Sequence, residues 1–244
     1  MKILGIIPAR YASTRFPAKA LTDIGGKSMI QRVYEQASKS AKIDQVIVAT
    51  DHLLIYNHVL GFGGKAEMTR EDHQSGTDRC MEALQKIKTD FDFVINIQGD
   101  EPFIKPEQID LLANSLEGHT ELATLVKKIT DAETLFNPNT PKVIFNERQE
   151  AIYFSRQTIP FIRGTETNQW LEKNTFYKHI GIYAYRADIL KAITALEPSA
   201  LEMAESLEQL RWLENGYKIK VAITEYETIG IDTPEDLEKI KDFI

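Results

Sequence analysis

The chain has 244 residues, 43% of them hydrophobic and 27% charged, with a formal net charge of -7. That is the make-up of a soluble globular protein with ample core, and its acidic balance excludes a general nucleic-acid binder, which needs a basic face. A single cysteine, Cys80, excludes an intrachain disulfide framework and fits a reducing compartment. No window approaches membrane-spanning length, and the N-terminal apolar run is too short for a signal peptide. A cytoplasmic location with no membrane partner is therefore expected.

The first element is the apolar, β-branched run Ile3 to Ile7, read as a buried strand that Pro8 brings to an end. The loop after it carries Arg10, Arg15 and Lys19, separated by small residues (Ala12 and Ser13 among them) that let backbone N–H groups approach an anion. Cations at the carboxyl end of a first strand, where open α/β sheets bind ligands, point to a triphosphate site. Gly25-Gly26 make a turn into a helix carrying Met29, Ile30, Val33, Tyr34 and Ala37. The Gly26-Lys27-Ser28 triplet is not a P-loop, because Leu21 stands where that motif needs glycine. A second strand, Val46 to Ala49, ends in Thr50-Asp51, and a helix follows near Leu53 to Leu60. The glycines at 61, 63 and 64 follow a helix, so they are not a dinucleotide fingerprint.

Ala66 to Met68 reads as a third strand, followed by the polar run TREDHQSGTDR, Thr69 to Arg79. Ser75 or Thr77 can cap the next helix, with Cys80 buried inside it. Capping accounts more readily for Thr77 than for Arg70, Asp72, His73 and Ser75, whose hydrogen-bonding groups exceed what one cap requires. Phe93 to Ile97 is a fourth strand running into Gln98-Gly99-Asp100. Four alternations of strand and helix indicate a doubly wound, mostly parallel α/β sheet.

From about Ala123 the rhythm changes. Strand-like segments at Ala123–Lys127, Lys142–Phe145 and Ala151–Ser155 suggest a smaller inserted antiparallel lobe, at about 123–215 of a single domain spanning 1–244. Arg163 to Asn174 reads as a loop around Trp170, and HIGIYAY, from His179 to Tyr185, as a strand. A helix capped by Ser199 is expected to run through Leu201, Leu207, Leu210 and Leu213 to Gly216. A strand follows over Lys218 to Ile223, then a helix start with Thr233 at the cap and Pro234 in the first turn. Asp100 and Asp232 lie in loops with small neighbours. Carboxylates beside a polyphosphate site imply Mg²⁺, although Asp232 could equally serve as a cap beside Thr233.

The segments IPARYASTRFPAK, ATDH, TREDHQSGTDR, NIQGDEP, FNPN, YFSR, HIGIYAYR, LEQLR and GIDTPEDL, in this order over nearly the whole chain, closely resemble the 3-deoxy-manno-octulosonate cytidylyltransferases. The resemblance implies a Rossmann-like fold of the nucleotide-diphospho-sugar transferase type and a homodimer formed through the smaller lobe. It implies Mg²⁺ and the reaction of CTP with 3-deoxy-D-manno-octulosonate (Kdo) to give CMP-Kdo and pyrophosphate, a step toward lipopolysaccharide. By the same resemblance Arg10, Ser13, Arg15 and Lys19 hold the triphosphate, and Asp100 and Asp232 hold Mg²⁺ between the α-phosphate and the Kdo hydroxyl. Arg70, Ser75 and Gly76 would lie near the cytosine, and Gln98, Arg156, His179, Glu208 and Gln209 around the sugar. Without it, His179 reads as a strand-end surface histidine and Glu208 as a solvated helix position. Two positions depart from the family pattern. Ala18 replaces a glycine, which would tighten the loop if a positive φ is needed there and slow turnover at most; Ala200 replaces a proline. A cytidylyltransferase for an acylneuraminate or for the 8-amino analogue of Kdo is the nearest alternative, with FSR and HIGIY favouring Kdo. A non-catalytic nucleotide-sugar binding module would be expected to lack an aspartate or a motif cation, and all five are present.

Overall fold

The computed structural model describes residues 1–12, 16–227, 229–231 and 233–239, with the side chain of Lys239 left out. Ser13, Arg15 and Asp232, three of the expected site residues, thus lie outside the described residues. The chain divides into two compact units, one made of 1–114, 184–194 and the segment after 228, the other of 115–183 and 195–227. The segment 123–215, read from sequence as a sub-lobe, falls in the second unit except for 184–194.

The first unit opens with β1 (Ile3–Ala9), a two-strand hairpin of β2 (Asp23–Ile24) and β3 (Lys27–Ser28), and α1 (Met29–Ala37). It continues through β4 (Gln45–Thr50), α2 (Leu53–Gly61), β5 (Ala66–Met68), α3 (Gly76–Lys86), β6 (Phe93–Asn96) and α4 (Pro106–Asn114). Strands β6, β1, β4 and β5 lie side by side in that order, all parallel. Such strands are covered on both faces and read as unbroken apolar runs: Ile3, Leu4, Ile6, Ile7, Val48, Ala49, Val94 and Ile95 are all buried. The apolar faces of the helices supply Ile30, Val33, Ala37, Ile55, Val59, Cys80 and Ala83 to this core. Gly25 and Gly26, with φ of 59° and 83°, close the β2–β3 hairpin, a turn that needs two left-handed residues.

Pro8 does not end β1, contrary to the sequence reading; the strand runs to Ala9, with Pro8 opposite Ala49 on β4. The reason is directional. The Ile6 carbonyl accepts from the Ile97 N–H on the β6 side, and Pro8, two residues on, faces that same side, where pairing with β6 has stopped at Asn96. No donor is needed from Pro8 there. Its carbonyl instead meets the turn after β6: a Cβ on Gly99 would sit 2.9 Å from the Pro8 oxygen, so only glycine lets the 98–100 turn close over β1.

The second unit contains β7 (Leu122–Lys128), α5 (Ala132–Phe136), β8 (Lys142–Phe145), β9 (Ala151–Ser155), α6 (Trp170–Lys173) and the first seven residues of β10 (Tyr177–Arg186). The last three residues of β10, with α7 (Ala187–Ile193), return to the first unit. Then come α8 (Ala200–Glu205), α9 (Gln209–Glu214) and β11 (Ile219–Ile223), and finally α10 (Pro234–Lys239), again in the first unit. Strands β8 and β9 form an antiparallel pair, and β8 pairs antiparallel with β10. The segment from Ala123 forms β7, which lies between β10 and β11 and is parallel to β11 from Leu122↔Ile219 to Val126↔Ile223.

Two further readings are corrected. The loop expected around Trp170 is helical, a 3-10 turn at Thr167–Gln169 leading into α6. Trp170 is buried with Ile129, Leu135 and Phe176, and its indole N–H reaches the Thr165 carbonyl at 3.0 Å, so burial of the ring fixes the segment. The single helix from Ser199 to Gly216 is two short helices. Ser199 and Glu202 form a reciprocal capping box on α8, but Ser206 adopts φ 51° and ends it. Arg211 on α9 folds back onto Glu202 at 2.6 Å, which holds the corner.

Candidate active site

At the carboxyl end of β1 a cavity of about 250 Å³ is lined by Pro8, Arg10, His73, Gln74, Ser75, Gly76, Arg79 and Gln98. Four expected ligand-binding residues, Arg10, Ser75, Gly76 and Gln98, are thus brought together. Ser75 is the N-cap of α3, its hydroxyl accepting from the Asp78 N–H at 3.1 Å. The capping role thus belongs to Ser75 rather than to Thr77, which is buried with its hydroxyl 3.3 Å from that of Tyr185. A helix N-terminus facing a cavity with two arginines is suited to an anion. Arg10 is exposed and has no ion-pair partner among the described residues. Arg70 is also exposed, 3.5 Å from Asp72.

Lys19 and Asp100 meet directly, Nζ to Oδ2 at 2.7 Å, with both side chains partly covered. The Asp100 carbonyl accepts from the N–H of Ile231 at 2.9 Å, so the chain just before Asp232 is tied to Asp100. Ile231 is itself buried against Ile24 and Met29, with Phe16, Phe103 and Leu237 packed around them. Among the described residues no group of three or more histidine, cysteine, aspartate or glutamate side chains could hold a metal. Mg²⁺ does not require one, since it is held by one or two carboxylates together with substrate phosphates. A carboxylate that already holds a cation fits that pattern.

Lys19 follows Ala18, which has φ 55° and ψ 26°, and whose N–H closes the loop onto the Tyr11 carbonyl at 3.2 Å. The positive φ that would favour glycine is therefore present. Left-handed geometry costs an L-residue roughly 1–2 kcal/mol. Ala18→Gly is expected to raise stability by about 0.5–1 kcal/mol after the added unfolded-state entropy is counted, read as an increased urea midpoint at unchanged slope.

The residues expected around the sugar, other than Gln98, belong to the second unit. Arg156 spends three of its N–H groups on carbonyls: Nε on Glu205 at 2.6 Å, Nη1 on Pro138 at 3.1 Å and Nη2 on Ser206 at 3.3 Å. Two of its five donors remain for a ligand. Glu205 completes the clasp by accepting from the Ser155 hydroxyl and the Arg156 N–H, at 2.7 and 2.9 Å. Gln209 is 5% exposed, and its Nε2 has no hydrogen-bond partner among the described residues. Glu208 precedes α9 and is half-buried rather than solvated.

His179 is not a surface residue at a strand end. It lies inside β10, its ring 5.3 Å from Phe154 and 5.1 Å from Tyr183. Thr124 Oγ1 is 2.7 Å from the Ile182 carbonyl, 3.2 Å from that of Ile180 and 3.1 Å from His179 Nε2. The single hydroxyl proton goes to the nearer carbonyl, so Nε2 carries the imidazole proton and donates to Thr124, leaving Nδ1 as an acceptor. Burial pushes the His179 pKa down from 6.5 to about 4. A depressed pKa contributes stability that is present above about pH 6.5 and lost as pH falls toward 4. Relative to His179→Gln, the wild type is expected to lose about 2 kcal/mol between pH 6.5 and 5, measured by urea unfolding at the two pH values.

Sequence reasoning missed the supports of these residues. Arg79 is buried, with Nη1 on Thr69 Oγ1 at 2.6 Å and on the Arg70 carbonyl at 3.1 Å, and Nη2 on Asp51 Oδ2 at 2.9 Å. Glu82 accepts from the Arg70 N–H at 3.0 Å, meets His73 Nε2 and pairs with Lys86 at 2.8 Å. Against the cost of burial, those bonds hold the Glu82 pKa down at about 2. The signal for both was in the spacing: Arg79 falls four residues after the Ser75 cap, and Glu82 three further on, on the helix face that looks back at the loop.

A parallel α/β unit with cations and a helix N-terminus at its strand carboxyl ends belongs to the nucleotide-binding class of α/β proteins. The model of the cytidylyltransferase family matches residues 4–220. The 3-deoxy-manno-octulosonate cytidylyltransferase of Cytophaga hutchinsonii is 62% identical over 98% of this chain and 96% of its own length. The protein of the same name from Parabacteroides distasonis is 61% identical over 100% and 98%. Among solved structures, a CMP:2-keto-3-deoxy-manno-octonic acid synthetase complexed with CTP superposes with a TM-score of 0.92, at 45% identity over 100% of this chain and 98% of that one. The chain belongs to the cytidylyltransferase family, in its 3-deoxy-manno-octulosonate cytidylyltransferase branch.

Proposed function

We propose that this protein transfers CMP from CTP to the anomeric hydroxyl of Kdo and releases pyrophosphate. The observation that carries the reading is full-length identity of about 60% to enzymes of that name, with the motif residues in place. The hydroxyl oxygen attacks the α-phosphorus, the bond from that phosphorus to the pyrophosphate oxygen breaks, and the hydroxyl proton is lost. Catalysis of this kind is mostly positioning and charge neutralisation.

Arg10, Arg15, Lys19 and the backbone around Ser13 hold the triphosphate and offset the charge that builds on pyrophosphate. Arg70, Ser75 and Gly76 face the cytosine. Asp100 and Asp232 hold Mg²⁺, which when bound neutralises phosphate charge and makes the sugar hydroxyl easier to deprotonate. On the sugar side, His179 accepts a hydroxyl through Nδ1, Gln209 donates its unpaired amide N–H, and Arg156 offers its two remaining donors to the carboxylate. Gln98 and Glu208 complete the sugar contacts. A homodimer in the cytoplasm, supplying CMP-Kdo for lipopolysaccharide, completes the reading; no helix among the described residues is long and apolar enough to cross a membrane.

The test is pyrophosphate release from CTP and Mg²⁺ with Kdo or N-acetylneuraminate added in turn. Release with Kdo alone is the expected result. Release with N-acetylneuraminate instead would move the specificity, and silence with both would reject the transferase reading.

A further inference from the structure

Three loops meet at one buried ion pair beside the cavity. Asp51, 6% exposed, accepts from the Tyr11 N–H through Oδ1 at 3.0 Å and pairs with Arg79, 4% exposed, through Oδ2 at 2.9 Å. Tyr11 is the hinge of the cationic loop: its carbonyl takes the Ala18 N–H, which seats Lys19, and its ring stacks on His52 at 3.9 Å. The other branch of the Arg79 guanidinium holds the Thr69 hydroxyl and the Arg70 carbonyl, the start of the loop that ends at Ser75 and Gly76. One fork thus joins the loop after β1, the end of β4 and the loop after β5.

We propose that the Asp51–Arg79 pair is the positioning element of the nucleotide site, fixing the triphosphate loop (Arg10, Lys19) relative to the 69–76 loop. This rests on the reading of the cavity as the CTP site. Neither residue is assigned to the reacting atoms: Asp51 is committed to Tyr11 and Arg79, three of the Arg79 N–H groups are engaged within the protein, and the pair acts through Tyr11 and Arg70. A buried pair of this kind adds little net stability compared with an apolar pair of similar volume, so geometry is the property it supplies. Lysine cannot replace the fork, because an ammonium lacks the planar set of donors that spans Asp51 and Thr69 together.

The experiment measures CTP binding by calorimetry and steady-state KM for both substrates in Asp51→Asn, Arg79→Lys and the apolar double variant D51L/R79M. A tenfold or greater loss of CTP affinity is expected in Arg79→Lys and Asp51→Asn, with the KM for Kdo at saturating CTP within about twofold of wild type. In the double variant the melting temperature should recover while CTP affinity does not. Recovery of both, or wild-type affinity in Arg79→Lys, would reduce the pair to a structural role and overturn the proposal. Should these variants fail to fold, Thr69→Val removes one hydroxyl from a site of the same shape. A threefold or greater loss of CTP affinity there supports the proposal and an unchanged affinity overturns it. Wild-type protein that fails to bind CTP would reject the underlying reading of the cavity instead.

Discussion

Asp100→Asn is expected to lower Mg²⁺-dependent pyrophosphate release by about 10³-fold, with little change in overall fold. The carboxylate sits at the end of the turn that Gly99 closes against the Pro8 carbonyl, 2.7 Å from the Lys19 ammonium. On the proposed reading it has two tasks: it holds the metal, and it orients the Lys19 ammonium toward the leaving pyrophosphate. An amide of the same shape keeps the turn but gives up the charge needed for both. CTP binding without divalent metal should be unchanged or tighter, because the variant removes a negative charge from beside the triphosphate loop. That split between retained binding and lost turnover, measured by calorimetry in EDTA and by the rate in Mg²⁺, separates loss of chemistry from misfolding.

Lys142→Met is expected to destabilise the second unit by about 3–5 kcal/mol, seen as a fall of about 10 °C or more in its melting temperature. Lys142 is fully buried, and its ammonium donates to the carbonyls of Asn137, Thr140 and Arg156 at 2.8, 2.7 and 2.7 Å. All three donors are used, which is why a buried cation with no direct carboxylate partner among the described residues is tolerated; burial nonetheless pushes its pKa below the usual lysine range. Methionine matches the length but withdraws the ammonium from three carbonyls, of which that of Asn137 keeps the Thr140 N–H at 3.1 Å. One of those carbonyls belongs to Arg156, so loss of the ammonium also loosens the clasp around the residue assigned to the sugar carboxylate.

The first unit was readable because parallel strands buried on both faces advertise themselves as short apolar runs. Ala66–Met68 falls where it was expected, and Phe93 to Ile97 differs from β6 by one residue. What the sequence concealed is directional or long-range. Whether Pro8 ends a strand depends on which side its missing N–H would face, and that is set by where β6 stops. The Leu201–Leu213 periodicity continues through Ser206 because apolar spacing carries no record of a residue turning left-handed. Lys142 was legible only as the first residue of a strand-like segment, since a charge is recognised as buried only once its carbonyl partners, from segments up to fourteen residues away, are assembled. The residues assigned to the ligands stood out through the motif resemblance; Asp51 and Arg79 lay inside the same motifs, and Glu82 three residues beyond one of them, without chemistry of their own to mark them.

The most direct measurement follows the α-phosphorus of CTP by ³¹P NMR during turnover with Kdo carrying ¹³C at its anomeric carbon. Attack by the anomeric hydroxyl requires a phosphodiester signal coupled to that carbon, growing in step with free pyrophosphate and dependent on Mg²⁺. A product lacking the coupling, or cleavage that yields CDP and orthophosphate, would contradict the account.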